Sequence, residues 1–327
     1  MRLVFFGSGA FGVPTLEALC QQHDVVLAVS QPDKPAGRKK ILTPTPVAAW
    51  LSEHRPGVRL IKPERVREDA TVDDIRATDA DAWVVIAYGQ KLPDRLLGLD
   101  TQDPVFAINL HGSILPRHRG AAPINAAIIA GDDFVGSSVI RVVSEMDAGS
   151  VLAQSRSALD PMTTAGELHD ELAEDGPGLI LEVLERFGRG TLVETEQDES
   201  LVTYAGKMTK ADGFVDWSKP ADEIRRRIHG FNPWPGASTT LGGQLLKLHR
   251  AETVEASALG PEFPPAASEA SHGHLIDPRT GVVVCGTGAV RLLEVQPPGK
   301  SVMSWADFAR GRELARGQRL GQPEASA

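Results

Sequence analysis

Apolar residues in the first half of the chain come in short β-rich bursts separated by stretches with helical spacing. Arg2–Phe6, Val25–Ser30, Ala82–Ala87 and Val105–Leu110 are the bursts, and they suit strands buried on both faces. Phe11–Gln22, Pro44–Glu53 and Ala121–Ala130 lie between them and have helix-like patterns. The alternation predicts an α/β fold with a doubly wound, mostly parallel sheet and helices on both faces. Gly136–Val143 and Val151–Leu159 add two strands. From about Ala165 to Phe187 the Glu, Leu and Ala content predicts a closing helix, which Gly176-Pro177-Gly178 should bend or split.

The pattern then changes. Gly188–Ser200 is polar and reads as a linker. Beyond it, Trp217, Leu245–Leu248, Leu275-Ile276, Val282–Cys285 and Val290–Val295 mark short strands with Gly-rich turns, the signature of a small β-barrel. Glu252–His274 reads as a long mobile surface loop, and Gly321–Ala327 as a disordered tail. The expected organisation is an α/β domain over 1–189, a linker over 190–206, a barrel over 207–320 and a tail over 321–327.

Composition narrows the class. A length of 327 residues suits two domains, and 42% apolar with 24% charged residues excludes collagen-like, coiled-coil and broadly disordered chains. No apolar run reaches the roughly 18 residues of a membrane span. The apolar stretch after Met1 stops at Gly7, too short for a signal peptide. A soluble, cytoplasmic protein without membrane association is expected. Cys20 and Cys285 lie far apart among apolar neighbours, which favours buried thiols over a disulfide or a metal site. The net charge of -9 argues against broad nonspecific nucleic-acid binding and leaves room for a local basic face.

Gly7-Ser8-Gly9-Ala10-Phe11-Gly12 matches the dinucleotide pattern between a strand and a helix, with Asp33 further on. Asp33 falls beyond the second strand, where a ribose-binding acid does not belong. A tight strand-to-helix turn is the preferred reading, and no NAD is expected.

The richest chemistry lies in Asn109-Leu110-His111-Gly112-Ser113-Ile114-Leu115-Pro116. Strand alternation places Asn109 and His111 side by side on one face, at a carboxyl strand end where open parallel sheets bind ligands. An amide N–H and a protonated imidazole can both donate to a developing oxyanion, and His111 can pass a proton to a leaving group. The same two residues would serve as strand-end caps of nearby backbone. Asp147, in a turn before the strand at Val151, tips the balance, because a carboxylate near His111 would hold the imidazole charged and assist proton removal. No G-x-S-x-G elbow is present, so direct transfer fits better than an acyl-enzyme. The histidine spacings do not suit a metal.

Together with Arg119-Gly120-Ala121-Ala122-Pro123-Ile124 and Asp147-Ala148-Gly149, this stretch resembles the formyl-tetrahydrofolate transferases. Gln31–Arg38, Ala87-Tyr88-Gly89, Leu201–Ala205, Phe231–Gly236 and Gln296–Lys300 extend the resemblance over nearly the whole chain, toward members that act on aminoacylated tRNA. It implies an oligonucleotide-binding-type barrel after the α/β domain. The implied formyl donor is 10-formyl-tetrahydrofolate, contacted near Tyr88, Gly89, Gln90, Lys91 and Leu92 and near Ser113, Ile114, Leu115 and Pro116. Asn109 and His111 are implied to stabilise the oxyanion, with Asp147 setting the His charge. The implied acceptor is the α-amine of methionyl initiator tRNA, and a monomer is expected.

Lys34, Arg38, Lys39 and Lys40 would then grip the acceptor end, and four cations in seven residues suit a phosphate contact. The loop lacks a glycine that family members often carry between the arginine and the lysine pair. Ser150 stands where aspartate or proline is usual. Lys207 to Arg250 has eight Lys or Arg against four Asp or Glu, a local balance of +4. Lys207, Lys210 and Arg225–Arg227 are the candidates for a second basic face, and Trp234 reads as a packed turn. Alternatives are a transferase for a small amine, a formyl-tetrahydrofolate hydrolase, a nicotinamide oxidoreductase and a non-catalytic tRNA binder.

Overall fold

Strand β1 (Arg2–Gly7) is buried from Leu3 onward and runs through the middle of the first sheet. In the computed structural model, residues 1–37, 39–101, 103–254 and 271–321 are described. They form two compact units. One comprises Met1–Pro123, Phe134–Ser157 and His169–Ala205, and the other Ile124–Asp133, Ala158–Leu168 and the chain from Gly206 onward. The polar stretch read as a linker therefore groups largely with the first unit.

In the first unit, β1 lies between β2 (Asp24–Val29) and β4 (Ala82–Ile86) and is parallel to both. β3 (Leu60–Ile61) extends the sheet beyond β2, and β5 (Ala107–His111) extends it in parallel beyond β4. β6 (Ser138–Arg141) and β7 (Val151–Gln154) follow, with β6 antiparallel to both neighbours. The order β7-β6-β5-β4-β1-β2-β3 winds outward in both directions from β1, so ligands belong at the carboxyl ends of the parallel strands. Val4 and Phe6 on one face of β1 pack with Val72 and Ile75 of the helix Asp69–Arg76. β3 and that helix were not anticipated from the sequence.

The helix Ala165–Gly188 runs unbroken through Pro177. A Cβ on Gly176 would sit 2.6 Å from Leu110 Cδ2, so glycine is what lets the helix approach β5. Leu172, Leu179, Ile180, Val183 and Leu184 are buried along its length. That burial stabilises more than one lost backbone hydrogen bond costs.

The glycines after β1 serve packing. Ser8 and Gly9 N–H both donate to Ala87 O, at 3.3 and 3.4 Å. A Cβ on Gly12 would lie 3.2 Å from the Ile86 side chain. Asp33 pairs with Lys62 at 2.6 Å. The turn's first N–H groups are thus turned onto the neighbouring strand end rather than toward a pyrophosphate.

In the second unit an antiparallel sheet joins, in order, Leu275–Asp277, Val282–Val284, Ala289–Gln296, Gln244–Val254, Ala237–Leu241 and Leu320–Gly321. Leu275 N donates to Gln318 O at 2.9 Å and Leu320 N to Gly273 O at 2.7 Å, which brings the two ends of that path together. The result is a near-closed barrel filled by Val215, Trp217, Leu246, Leu248, Val290 and Trp305, among others. Ile224 and Ile228 of the helix Ala221–Gly230 pack into the same core.

The helix Pro123–Ala130 groups mostly with this unit, and Asn125 Nδ2 donates to Gly230 O at 2.7 Å. The expected surface loop begins later than Glu252, because the strand continues to Val254. Its stretch 255–270, and 322–327 of the expected tail, lie outside the described residues. Cys20 and Cys285 are free thiols, and burial pushes Cys285 up to about 12. No described helix is long and apolar enough to cross a membrane.

Candidate active site

β5 ends in the pair that the sequence singles out. Ile108 and Leu110 are buried, and the helix at Gly176 packs against Leu110. Asn109 and His111 share the opposite face by strand alternation. Asn109 is half-buried between β4 and β6, opposite Val85 and Ile140. His111 is buried, and its Nε2 lies 2.9 Å from His118 O. A carbonyl only accepts, so Nε2 carries the proton and Nδ1 is the nitrogen left to titrate. Nδ1 faces Asp147 Oδ2 at 3.6 Å.

Burial pushes the His111 pKa below the usual imidazole range, and the Asp147 carboxylate opposes it. Burial is the larger effect and favours the neutral imidazole. Removing an imidazolium from water is costly, and the neighbouring carboxylate offsets part of that cost.

Asp147 is held from two sides. Its Oδ2 accepts from Gly120 N–H at 2.8 Å. Its carbonyl accepts from Gln197 Nε2 at 2.8 Å. Its φ is +53°, a left-handed conformation unusual for a residue other than glycine. Arg119 and Gly120 pair in parallel with Tyr204 and Ala205, and glycine is required at 120 because a Cβ would lie 2.4 Å from Ala205 O. Ser150 Oγ donates to Glu194 Oε2 at 2.7 Å and tethers the loop behind Asp147.

The loop Ser113–Pro116 is clamped from below. Ser138 Oγ donates to Ser113 O at 2.6 Å and accepts from Leu115 N at 3.0 Å. Gln154 Nε2 donates to Leu115 O at 2.9 Å. Ser113 and Leu115 are buried, while Ile114 and Pro116 are half-buried.

After β4, Tyr88 and Leu92 belong to the hydrophobic core, and burial raises the Tyr88 hydroxyl well above its ordinary range. Gln90 is tied to the preceding loop, accepting from Val66 N at 2.8 Å and donating to Pro63 O at 3.1 Å. Gly89 and Lys91 are exposed between them. The exposed parts of this segment are the main chain at Gly89 and the Lys91 side chain.

The remaining candidates lie on other segments of the chain. Lys34 begins a hairpin of Lys34–Ala36 paired antiparallel with Ile41–Thr43. Lys34, Lys39 and Lys40 are exposed, and Arg38 lies outside the described residues. Lys207 and Lys210 are exposed in the second unit. Arg225 and Arg226 are engaged by Asp222, and Arg227 lies over the Phe231 ring at 5.2 Å, so helix packing occupies all three. Trp234 is 54% exposed, not the packed turn that its flanking prolines suggested. Sequence reasoning did not single out Ser138, Gln154, Arg119 or Gln197 as site residues, because their hydrogen bonds join positions far apart along the chain and no local pattern announces them. Among the described residues no group of His, Cys, Asp and Glu suits a metal.

Residues 1–184 match the formyl transferase family, and residues 207–313 match the formyl transferase C-terminal domain. The chain is 39% identical over 323 residues to the methionyl-tRNA formyltransferase of Methylobacillus flagellatus, a match covering 98% of this chain and 100% of that one. An N-formyltransferase from Helicobacter canadensis, solved with folinic acid and dTDP-3-aminofucose, superimposes with a TM-score of 0.64 at 13% identity, covering 91% of this chain and 99% of that one. HypX from Aquifex aeolicus, solved with tetrahydrofolic acid, gives a TM-score of 0.57 at 19% identity, covering 95% and 47%. At these identities the structural likeness is one of fold.

Proposed function

The chain belongs to the formyl transferase family, and we propose that it transfers the formyl group of 10-formyl-tetrahydrofolate to the α-amine of methionyl initiator tRNA. Formyl-methionyl-tRNA, the initiator of translation, and tetrahydrofolate are the products. The observation that carries this reading to particular residues is the His111–Asp147 pair, 3.6 Å apart at the end of the strand that also bears Asn109.

The chemistry requires one bond to form, amine nitrogen to formyl carbon, and one to break, formyl carbon to N10 of the folate. One proton moves from the amine to N10. Asn109 donates its amide N–H to the formyl oxygen as it becomes an oxyanion. Neutral His111 accepts the amine proton at Nδ1, becoming an imidazolium that Asp147 stabilises, and returns it to the departing N10. The barrier also falls because both substrates are held in one place. The pterin lies along the exposed main chain at Gly89 and Lys91 and against Ile114 and Pro116.

Lys34, Arg38, Lys39 and Lys40, with Lys207 and Lys210, contact tRNA phosphates. These cations favour a nucleic-acid acceptor over a small amine. One copy carries every residue named, so a monomer suffices, and charged tRNA places the reaction in the cytoplasm. The test is to incubate the purified protein with 10-formyl-tetrahydrofolate and methionyl initiator tRNA, with uncharged tRNA and free methionine as controls. Formylation confined to the charged tRNA is expected. Folate consumed without formylated tRNA would point instead to a hydrolase or a small-amine transferase.

A further inference from the structure

The Asp147 loop rests on a relay that starts from a buried guanidinium. Arg119 is 3% exposed, and its Nε and Nη2 donate to Gln197 Oε1 at 3.0 and 2.9 Å. Its Nη2 also pairs with Glu199 at 2.7 Å. A guanidinium only donates, so the amide of Gln197 has one permitted orientation, oxygen toward Arg119 and nitrogen away. That nitrogen donates to two carbonyls at once, Asp147 O and Gly149 O, both at 2.8 Å. The residue after Arg119, Gly120, holds the Asp147 carboxylate itself at 2.8 Å. One dipeptide therefore fixes the Asp147 side chain directly and its main chain through Gln197.

Asp147 needs such a hold. Its φ of +53° is a left-handed conformation that a residue with a Cβ adopts less readily than glycine, so the turn gains from added holds. Within the turn itself, the bond from Ala148 N to Glu145 O is long, at 3.5 Å. Without the Gln197 amide, the Asp147 and Gly149 carbonyls have no common donor and the turn has an easier route back to ordinary backbone. The Asp147 carboxylate would then leave Nδ1 of His111.

We propose that Gln197, oriented by Arg119, is a positioning residue for the transfer reaction, holding the Asp147 turn so that its carboxylate faces His111. This rests on the reading of Asp147 as the carboxylate that stabilises the charged His111.

Two variants test the amide. Gln197→Met keeps the side chain's length and removes its N–H groups. Gln197→Glu keeps an oxygen for Arg119 and likewise lacks an N–H for the two carbonyls. Both are expected to lower kcat about 10- to 100-fold while KM for the folate and the tRNA changes less than about threefold, the pattern of a misplaced group that binds neither substrate. Their melting temperatures report whether the fold is kept. Each is then combined with Asp147→Asn, and single-turnover rates are compared.

If Gln197 acts through Asp147, adding Gln197→Met to Asp147→Asn lowers the rate less than about twofold further. Full activity in either Gln197 variant overturns the proposal. So does a loss that multiplies undiminished in the Asp147→Asn background, or one that appears in KM. Full activity in Asp147→Asn alone would instead overturn the reading of Asp147, and with it the basis for a positioning role.

Discussion

His111 Nδ1 and Asp147 Oδ2 lie 3.6 Å apart, and each side chain is anchored by a second partner: the imidazole by His118 O at 2.9 Å, the carboxylate by Gly120 N–H at 2.8 Å. The gap is too long for a hydrogen bond in the resting state. Burial pushes the imidazole pKa down while Asp147 pulls it up, and in the proposed mechanism the ion pair forms when a proton reaches Nδ1. On that proposal the charge is stabilised in the step where it appears, which is what lowers a barrier.

His111→Ala and Asn109→Ala should each lower turnover by about 100- to 1,000-fold, the loss typical of one oxyanion or proton-transfer group. Folate binding, measured by fluorescence titration, should stay within about threefold, because both groups act mainly on the transition state. Near-normal turnover in either variant would remove that residue from the chemistry.

Gly149→Ala tests the turn by steric means. A Cβ at this position would lie 1.9 Å from Arg141 O, so backbone must move. The displacement reaches Asp147 two residues away. A stability loss of about 1–3 kcal/mol by urea denaturation is expected, together with a drop in kcat. Unchanged kcat would mean that the turn tolerates the shift without moving the carboxylate.

The hairpin that follows β2 makes an electrostatic prediction. Replacing Arg38, Lys39 and Lys40 by alanine should weaken tRNA binding and reduce the slope of log affinity against log salt by roughly 0.7–0.9 for each phosphate no longer neutralised. Affinity measured from low to moderate salt checks this. An unchanged slope would take this hairpin out of the interface.

His229 links pH to the stability of the second unit. Its Nδ1 donates to Pro161 O at 3.2 Å, and its Nε2 accepts from Ala251 N–H at 3.1 Å. Protonating Nε2 would set two donors against each other. Burial lowers its pKa to about 4. The unfolded chain, with an imidazole near 6.5, binds more protons between those values, so stability is full above about pH 6.5 and falls as the pH drops toward 4. The contribution is roughly 3 kcal/mol. Urea unfolding at pH 7 and pH 4.5 should show a shallower loss for His229→Gln than for the unaltered protein. Equal losses would show that His229 is not the titrating group.

The legible features of the fold were those written in local periodicity. Alternation along Ala107–His111 puts Asn109 and His111 on a shared face, because a strand's period of two leaves no other arrangement. Local rules failed where distant burial decides. Gly176-Pro177-Gly178 reads as a break, yet the buried side of Ala165–Gly188 carries the helix through it. Leu60–Ile61 is too short to leave a periodic signal. Gln197 looked like linker because a polar residue in a polar stretch carries no sign of a partner about 50 positions away. The resemblance places folate contacts near Tyr88–Leu92, but only burial in the core decides that the Tyr88 ring packs inward and the neighbouring main chain stays exposed.

Direct transfer by Asn109, His111 and Asp147 is tested by a single-turnover rapid-quench measurement. The protein, in excess, would be mixed with methionyl initiator tRNA and 10-formyl-tetrahydrofolate labelled in the formyl carbon. Label is expected to leave the folate and appear on the methionyl amine at one rate, with none held on the protein, and His111→Ala is expected to slow that step about 100-fold or more. Label accumulating on the protein before it reaches the tRNA, or an unchanged rate in His111→Ala, would contradict direct transfer by these residues.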